Sequence, residues 1–77
     1  MTSGSLNDLV SECRTVANLG SVTDGPTSEG WCLIEVSIVE WNDSGSSVIQ
    51  FAIPPAGTQG WIRVKTSDSW STWKKIF

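Results

Sequence analysis

Apolar and polar residues alternate along most of the chain between residues 13 and 66, and this period of two predicts β-strands. The longest run covers residues 31–41. One of its sides is an unbroken apolar face suited to a core, made of Cys32, Ile34, Val36 and Ile38. The other side is mixed and carries Trp31, Leu33, Glu35, Ser37, Val39 and Trp41. We therefore expect a long strand with its first side turned inward.

Shorter runs on either side of this strand predict its neighbours. Residues 13–18 predict a first strand, and residues 47–53 return as a third strand after a hairpin turn at residues 42–46. The third strand ends at Pro54, because proline cannot donate a hydrogen bond to a neighbouring strand. Its two expected faces are Ile49, Phe51 and Ile53 on one side, and Val48, Gln50 and Ala52 on the other.

Residues 61–66 predict a fourth strand, followed by a turn and by the terminal element 70–73, which we expect to fold back onto the sheet. In the fourth strand the expected inward residues are Ile62 and Val64, and the expected outward residues are Arg63 and Lys65. The order of strands and short turns indicates a mainly β fold, a small antiparallel meander of about five strands.

The first residues predict one helical turn. Ser5 is a suitable N-cap, and Asp8 stands at the position of the acidic partner in a capping box. A single turn is too short to be stable alone. We assign residues 1–5 to a flexible N-terminal segment and residues 6–77 to a single β domain.

The chain of 77 residues allows one small domain. Such a domain is marginally stable without a disulfide, a metal or oligomerisation. The sequence contains no His, which removes the usual ligand of zinc, copper and haem and the usual acid-base group. Glu35 and Glu40 lie on opposite faces of one strand and cannot act as an acid-base pair. We expect no metal, no cofactor and no enzymatic activity.

The net charge of −3 and the pI near 4.5 argue against nucleic-acid binding, because phosphates need a basic stripe. No apolar run approaches the ~20 residues of a membrane span, and the first residues lack the features of a signal peptide. We expect a soluble protein with no membrane insertion. Cys13 and Cys32 either form a disulfide or remain two buried, reduced thiols, and we favour the thiols.

Four residues near the end of the chain are candidates for ligand binding: Trp61, Arg63, Trp70 and Trp73. Trp70 and Trp73 either stack on a sugar ring or pack in the core, and we favour packing because the residues between them are small and polar.

Arg63 has two possible roles. It pairs with Glu35 or Asp68 on the sheet surface, or it acts between Trp61 and Trp70 as a cation-π or sugar-binding group. We favour the structural role. For Gln50 we also favour a structural amide over a contact with a neighbouring subunit.

Six short motifs follow one another along the chain: Leu-Asn-Asp-Leu at residues 6–9, Asp-Gly-Pro at 24–26, Gly-Trp-x-Leu-Ile-x-Val at 30–36, Val-Ile-Gln at 48–50, Trp-Ile-Arg at 61–63 and Trp-Ser-x-Trp-Lys at 70–74. In this order they resemble the pyocin-knob family, small β-rich domains in the tail fibres and receptor-binding proteins of phages and phage-tail-like bacteriocins. The chain departs from the family at residues 13–15, Cys-Arg-Thr, where members usually have Gly-x-Tyr.

The resemblance implies a homotrimeric protein of the virion tail fibre or of a tail-like particle, assembled in the cytoplasm of the host bacterium. The expected function is that of a non-enzymatic knob module, which contributes to trimer assembly and to attachment to a host surface glycan. Two alternatives remain: a structural cap without a receptor site, and a small carbohydrate-binding module. The last is disfavoured because Trp31 and Trp41 are ~33 Å apart along an extended strand, too far for one short sugar.

Overall fold

The computed structural model describes residues 1–42 and 45–77 and places them in one antiparallel sheet. A 3-10 helix, Leu6–Asp8, precedes the strands. The strands are β1 (Cys13–Asn18), β2 (Trp31–Asn42), β3 (Gly45–Ile53), β4 (Trp61–Thr66), β5 (Ser69–Trp70) and β6 (Lys74–Lys75). Their order is β1-β2-β3-β4-β5, and β6 also pairs with β4. The predicted mainly β antiparallel sheet of about five strands with one short helical turn is confirmed.

Several local predictions agree with these bounds. β1 and β4 begin and end at the predicted residues, and β2 is one residue longer than predicted. The N-cap prediction is confirmed, because the Ser5 hydroxyl accepts a hydrogen bond from the backbone N–H of Asn7. β3 begins at Gly45, inside the predicted hairpin turn at 42–46. Asp43 and Ser44 of that turn lie outside the described residues.

One face of the sheet is covered by the N-terminal segment and by the loop between β1 and β2. Backbone hydrogen bonds tie these two segments together, from Leu6 N–H to Thr23 O and from Thr23 N–H to Gly4 O. Packed between them and the sheet is a small core made of Leu6, Ala17, Leu19, Val22, Cys32, Ile34, Val36 and Ala52. We call this side the covered face.

The opposite side of the sheet, here called the open face, is apolar but not covered. Opposite residues of an antiparallel pair point to the same side, so the register assigns this face directly. Trp31 lies at one end of this face, and its other apolar residues are Val16, Leu33, Val39, Ile49, Phe51, Ile53, Ile62 and Val64. Within the described residues none of these side chains is fully buried, and Val16 is 50% exposed.

The predicted direction of the β4 side chains is wrong. Arg63 pairs with Gln50 and lies on the covered face, whereas Ile62 and Val64 lie on the open face. Gln50 is likewise on the covered face and fully buried, not on an outer face. Alternation shows which residues share a face. It does not show which face the N-terminal segment will cover.

The expectation of two buried thiols is correct for one cysteine only. Both cysteines are free, but Cys32 is buried and Cys13 is exposed. Cys13 lies opposite Val36, four residues along β2 from Cys32, which is ~13 Å in an extended strand and too far for a disulfide. Burial raises the pKa of the Cys32 thiol.

The first five residues make defined contacts with β1 and its loop. The amino group of Met1 donates to the carbonyl of Val16 at 2.6 Å, and the Met1 carbonyl accepts from Asn18 N–H at 3.0 Å. The prediction that residues 1–5 are flexible concerns motion and stays a prediction.

Candidate functional site

Arg63 is the centre of a cluster on the covered face, where it is only 5% exposed. Its guanidinium carbon lies 4.0 Å from the centre of the Trp70 ring and 4.6 Å from that of the Trp73 ring. Contacts this short place the cation on the negative faces of both indoles. The sequence had suggested Trp61 as one of the two aromatic neighbours, and Trp73 takes that place.

A β-bulge brings both indoles to Arg63. β5 and β6 both pair with β4, but three residues (71–73) separate Trp70 from Lys74, while two (63 and 64) separate the β4 residues that face them. The extra residue is a bulge opposite Arg63. In a regular strand Trp70 and Trp73, three positions apart, would point to opposite faces. The bulge turns Trp73 back to the side of Trp70.

Gln50 links Arg63 to the N-terminal helical turn. Its side-chain oxygen accepts a hydrogen bond from Arg63 Nε at 2.9 Å. Its side-chain nitrogen donates to the carbonyls of Leu6 at 2.7 Å and Leu9 at 3.0 Å. The Leu6 carbonyl also accepts the backbone N–H of Leu9 at 3.2 Å, so Gln50 adds a second donor at the end of the helical turn. The predicted structural role of the Gln50 amide is confirmed.

Asp24 joins the cluster from the loop between β1 and β2. Its backbone carbonyl accepts a hydrogen bond from Trp73 Nε1 at 2.9 Å. Its carboxylate accepts hydrogen bonds from the hydroxyls of Ser5 and Thr23. These two bonds, with a smaller contribution from the charge of Arg63, hold the pKa of Asp24 below its usual value, although partial desolvation opposes them.

Arg63 remains a cation in this setting. Burial lowers the pKa of Arg63 to about 10, and the charge of Asp24 acts in the opposite direction. Nη2 of Arg63 has no hydrogen-bond partner among the described residues. The predicted surface ion pair with Glu35 or Asp68 is wrong, because Glu35 lies 3.8 Å from Arg14 instead. We name Arg63, Gln50, Trp70, Trp73 and Asp24 the Arg63 cluster.

The Arg63 cluster has the properties of an internal support. The guanidinium lies over two indole rings, and its Nε is already bonded to Gln50. Trp73 packs against the core, which agrees with the packing prediction. Ligand binding by these residues stays a prediction.

Trp61, the fourth candidate, lies apart from the Arg63 cluster at the start of β4. It packs against the core with part of its ring and also lines an open cleft of about 500 Å³. The cleft is at the end of the sheet where β2 and β4 begin and β3 ends. The residues that line it are Thr27, Glu29, Gly30, Trp31, Cys32, Pro54, Gln59 and Trp61. We call it the Trp31–Trp61 cleft.

The sequence contained a signal for this cleft, although only Trp61 of its two indoles was chosen as a candidate ligand-binding residue. Trp31 and Trp61 each follow a glycine and are each the first residue of a strand. β2 and β4 run in the same direction because β3 lies antiparallel between them. Their first residues therefore lie at the same end of the sheet, Trp31 on the open face and Trp61 on the covered face.

The described part of the chain has no metal-binding arrangement. Within residues 1–42 and 45–77, no group of three or more His, Cys, Asp or Glu could hold a metal ion. No helix in these same residues is long and apolar enough to cross a membrane. Comparisons with protein-family models, with curated proteins and with solved structures find no match to this chain.

Proposed function

We propose that this chain is a non-enzymatic knob module of a phage tail fibre or of a related tail-like particle. In this role it forms a homotrimer in the fibre and contributes to attachment at the host cell surface. The ordered motifs of the sequence support the family, and the open face of the sheet is the observation that supports assembly.

The open face is well suited to contact with identical chains. Besides Trp31 at its end, it presents eight apolar side chains from four adjacent strands, and contiguous apolar surface of this kind usually marks an interaction site. Polar groups on it include Ser37 and the exposed ion pair of Arg14 with Glu35. Burial of the apolar side chains between subunits would stabilise the assembly.

The size of the core supports the same proposal. Two of its eight residues are alanines, and the only large side chains with less than 2% exposure among the described residues are Leu6, Ile34 and Gln50. Small domains with so little buried apolar surface commonly gain stability from oligomerisation.

A pair of matched variants tests the assembly. Ile49→Lys places a charge on the open face, whereas Ile38→Lys places the same charge on the opposite side of the sheet, where Ile38 is already 40% exposed. We expect sedimentation or native mass spectrometry to give a trimer for the parent and for Ile38→Lys, and a folded monomer for Ile49→Lys. Val16→Lys, at a more exposed position of the open face, serves if Ile49→Lys unfolds.

A parent chain that stays monomeric at high concentration would contradict the assembly part of the proposal. A trimer that Ile49→Lys and Val16→Lys both leave intact would show that another surface makes the interface. Circular dichroism of each variant separates loss of association from loss of folding.

The second candidate function is a structural cap that sets the register of the trimer and has no receptor site. The Arg63 cluster favours it, because Arg63, Trp70 and Trp73 are used in internal contacts. Deletion of the module from the full fibre distinguishes the two. Loss of soluble trimer, with adsorption retained in any surviving trimer, indicates a cap, whereas an intact trimer that no longer adsorbs indicates attachment.

A further inference from the structure

The Trp31–Trp61 cleft contains an exposed indole, that of Trp31, at the end of the open face. Trp31 is 47% exposed, and its register partner at the edge of the sheet is Asn18. Exposure of so much aromatic surface is unfavourable in water and often marks a contact site. Trp61 lines the same cleft, so two indoles are available to a ligand there.

Polar groups of three kinds surround these indoles. Glu29 supplies an exposed carboxylate, Gln59 a half-buried amide and Thr27 a hydroxyl. The Thr27 hydroxyl donates to the backbone carbonyl of Glu29 and accepts from its backbone N–H, which fixes the loop beside the cleft. Aromatic faces next to carboxylate and amide groups can bind the C–H face and the hydroxyls of a sugar ring.

The charge of the cleft selects among sugars. Of the described residues that line it, none is Lys or Arg, and Glu29 is an acid. The chain as a whole carries a net charge of −3. An anionic saccharide would be repelled by this surface, whereas a neutral pyranose would not.

We propose that the Trp31–Trp61 cleft binds a neutral pyranose of a host surface saccharide. Trp31 stacks on the sugar ring, Trp61 forms the inner wall, and Glu29 and Gln59 hydrogen-bond to the hydroxyls. This inference rests on the proposed attachment function and names its ligand class. It also moves the binding site away from the Arg63 cluster.

Indole N–H signals provide a direct test. The chain has five Trp residues and therefore five indole signals in a ¹H–¹⁵N NMR spectrum, which single Trp→Phe variants assign. The probes are the methyl glycosides of glucose, galactose, mannose and N-acetylglucosamine, with glucuronic acid as the anionic comparison. We expect at least one neutral probe to shift the Trp31 and Trp61 signals saturably at millimolar concentration. The signal of Trp73, whose indole N–H donates to the Asp24 carbonyl, should not shift.

A matched pair of variants completes the test. Trp31→Ala should weaken the binding of that probe about tenfold, an effect in the range of aromatic stacking. Trp41→Ala removes a more exposed indole (65%, against 47% for Trp31) at the far end of β2 and should leave the affinity unchanged. Gln59→Ala should weaken binding without a change in folding, which gives a second independent variant.

Three results would overturn the inference: no saturable shift of Trp31 and Trp61 with any neutral probe, shifts confined to Trp70 and Trp73, or tighter binding of glucuronic acid. Failure of the cleft is distinguishable from failure of the proposed function. If the fibre adsorbs to host cells equally well with Trp31→Ala, the module attaches through another surface and only the cleft is wrong. If the parent neither trimerises nor supports adsorption, the proposed function itself is wrong.

Discussion

Replacement of Arg63 by alanine tests whether the Arg63 cluster holds the fold together. The change removes the hydrogen bond from Arg63 Nε to the side-chain oxygen of Gln50 and both indole contacts. It also leaves the buried oxygen of Gln50 without its donor. Gln50 in turn holds the helical turn through the carbonyls of Leu6 and Leu9, so the loss reaches the N-terminal segment.

The expected magnitude follows from these contacts. A hydrogen bond with a charged donor contributes ~1.5–3 kcal/mol, and each cation-π contact ~0.5–2 kcal/mol. Release of a buried cation to water offsets part of this sum by several kcal/mol. We expect a net loss of about 3 kcal/mol. A loss of this size should lower the melting temperature by ~12–24 °C. It is a large part of the roughly 4–12 kcal/mol of total stability expected for a domain of this length.

The assay is urea unfolding followed by tryptophan fluorescence and by circular dichroism. Arg14→Ala is the matched control, because Arg14 is exposed and, among residues 1–42 and 45–77, its only charged contact is the 3.8 Å pair with Glu35. Its free energy of unfolding should change by less than ~0.5 kcal/mol. Arg63→Lys should also be destabilised, since an ammonium has neither the flat shape nor the Nε donor of a guanidinium.

An Arg63→Ala variant as stable as Arg14→Ala would refute the reasoning. It would mean that the free-energy cost of burying the Arg63 cation equals the stabilisation that its hydrogen bond and cation-π contacts contribute. If Arg63→Ala fails to fold at all, Arg63→Lys supplies the measurable loss.

Two further predictions concern Trp73 and Asp24. Trp73→Ala should lower the free energy of unfolding by ~3–5 kcal/mol, whereas Trp41→Ala should lower it by less than ~1 kcal/mol. Equal losses of unfolding free energy for the two variants, measured by urea unfolding, would contradict core packing of Trp73. The pKa of folded Asp24 is below its ordinary value of 3.8, so its carboxylate stabilises the fold above that pH. This contribution is lost as the pH falls through 3.8 and then through the folded pKa. Asp24→Asn, which tolerates the positive φ of 66°, should weaken the decline of melting temperature in acid, and an unchanged pH profile would contradict this.

The local alternation of apolar and polar residues was sufficient to predict the bounds of β1 and β4. β1 and β4 were predicted with correct bounds because each is a short alternating run between turn-forming residues. The partner of each strand also followed, since short turns leave an antiparallel neighbour as the simplest connection. These features depend on residues close together in the chain, which a single sequence displays directly.

The direction of the β4 side chains could not be predicted in the same way. Arg63 and Gln50 are polar, so burial of Ile62 and Val64 was the natural expectation. The covered face is chosen by residues 1–10 and 19–26, which pack from a distance along the chain. Gln50 can be buried there because its amide bonds to the carbonyls of Leu6 and Leu9 and to Arg63. Arg63 can be buried because two indoles and Gln50 contact it. Each of these conditions depends on the others, so no single segment shows the outcome.

The common direction of Trp70 and Trp73 could not be predicted for a related reason. A spacing of three does not fit either face of a regular strand, and the sequence does not show where the bulge lies. Only the register of β5 and β6 against β4 reveals that the extra residue lies opposite Arg63. The bulge is the reason that Trp70 and Trp73 both contact the Arg63 guanidinium.

The separation of the indoles into groups determines how binding experiments on this chain should be interpreted. Trp73 supports the fold through Arg63 and Asp24, so loss of binding in a Trp73 variant would not distinguish a lost ligand contact from a loosened sheet. Trp31 is exposed at the far end of the sheet from the hairpin, and its removal should leave the core intact. Loss of binding in a Trp31 variant with unchanged stability and unchanged trimer formation therefore identifies a ligand contact. The exposed indole of a cleft, and not the pair that is most prominent in the sequence, is the residue at which attachment should be tested first.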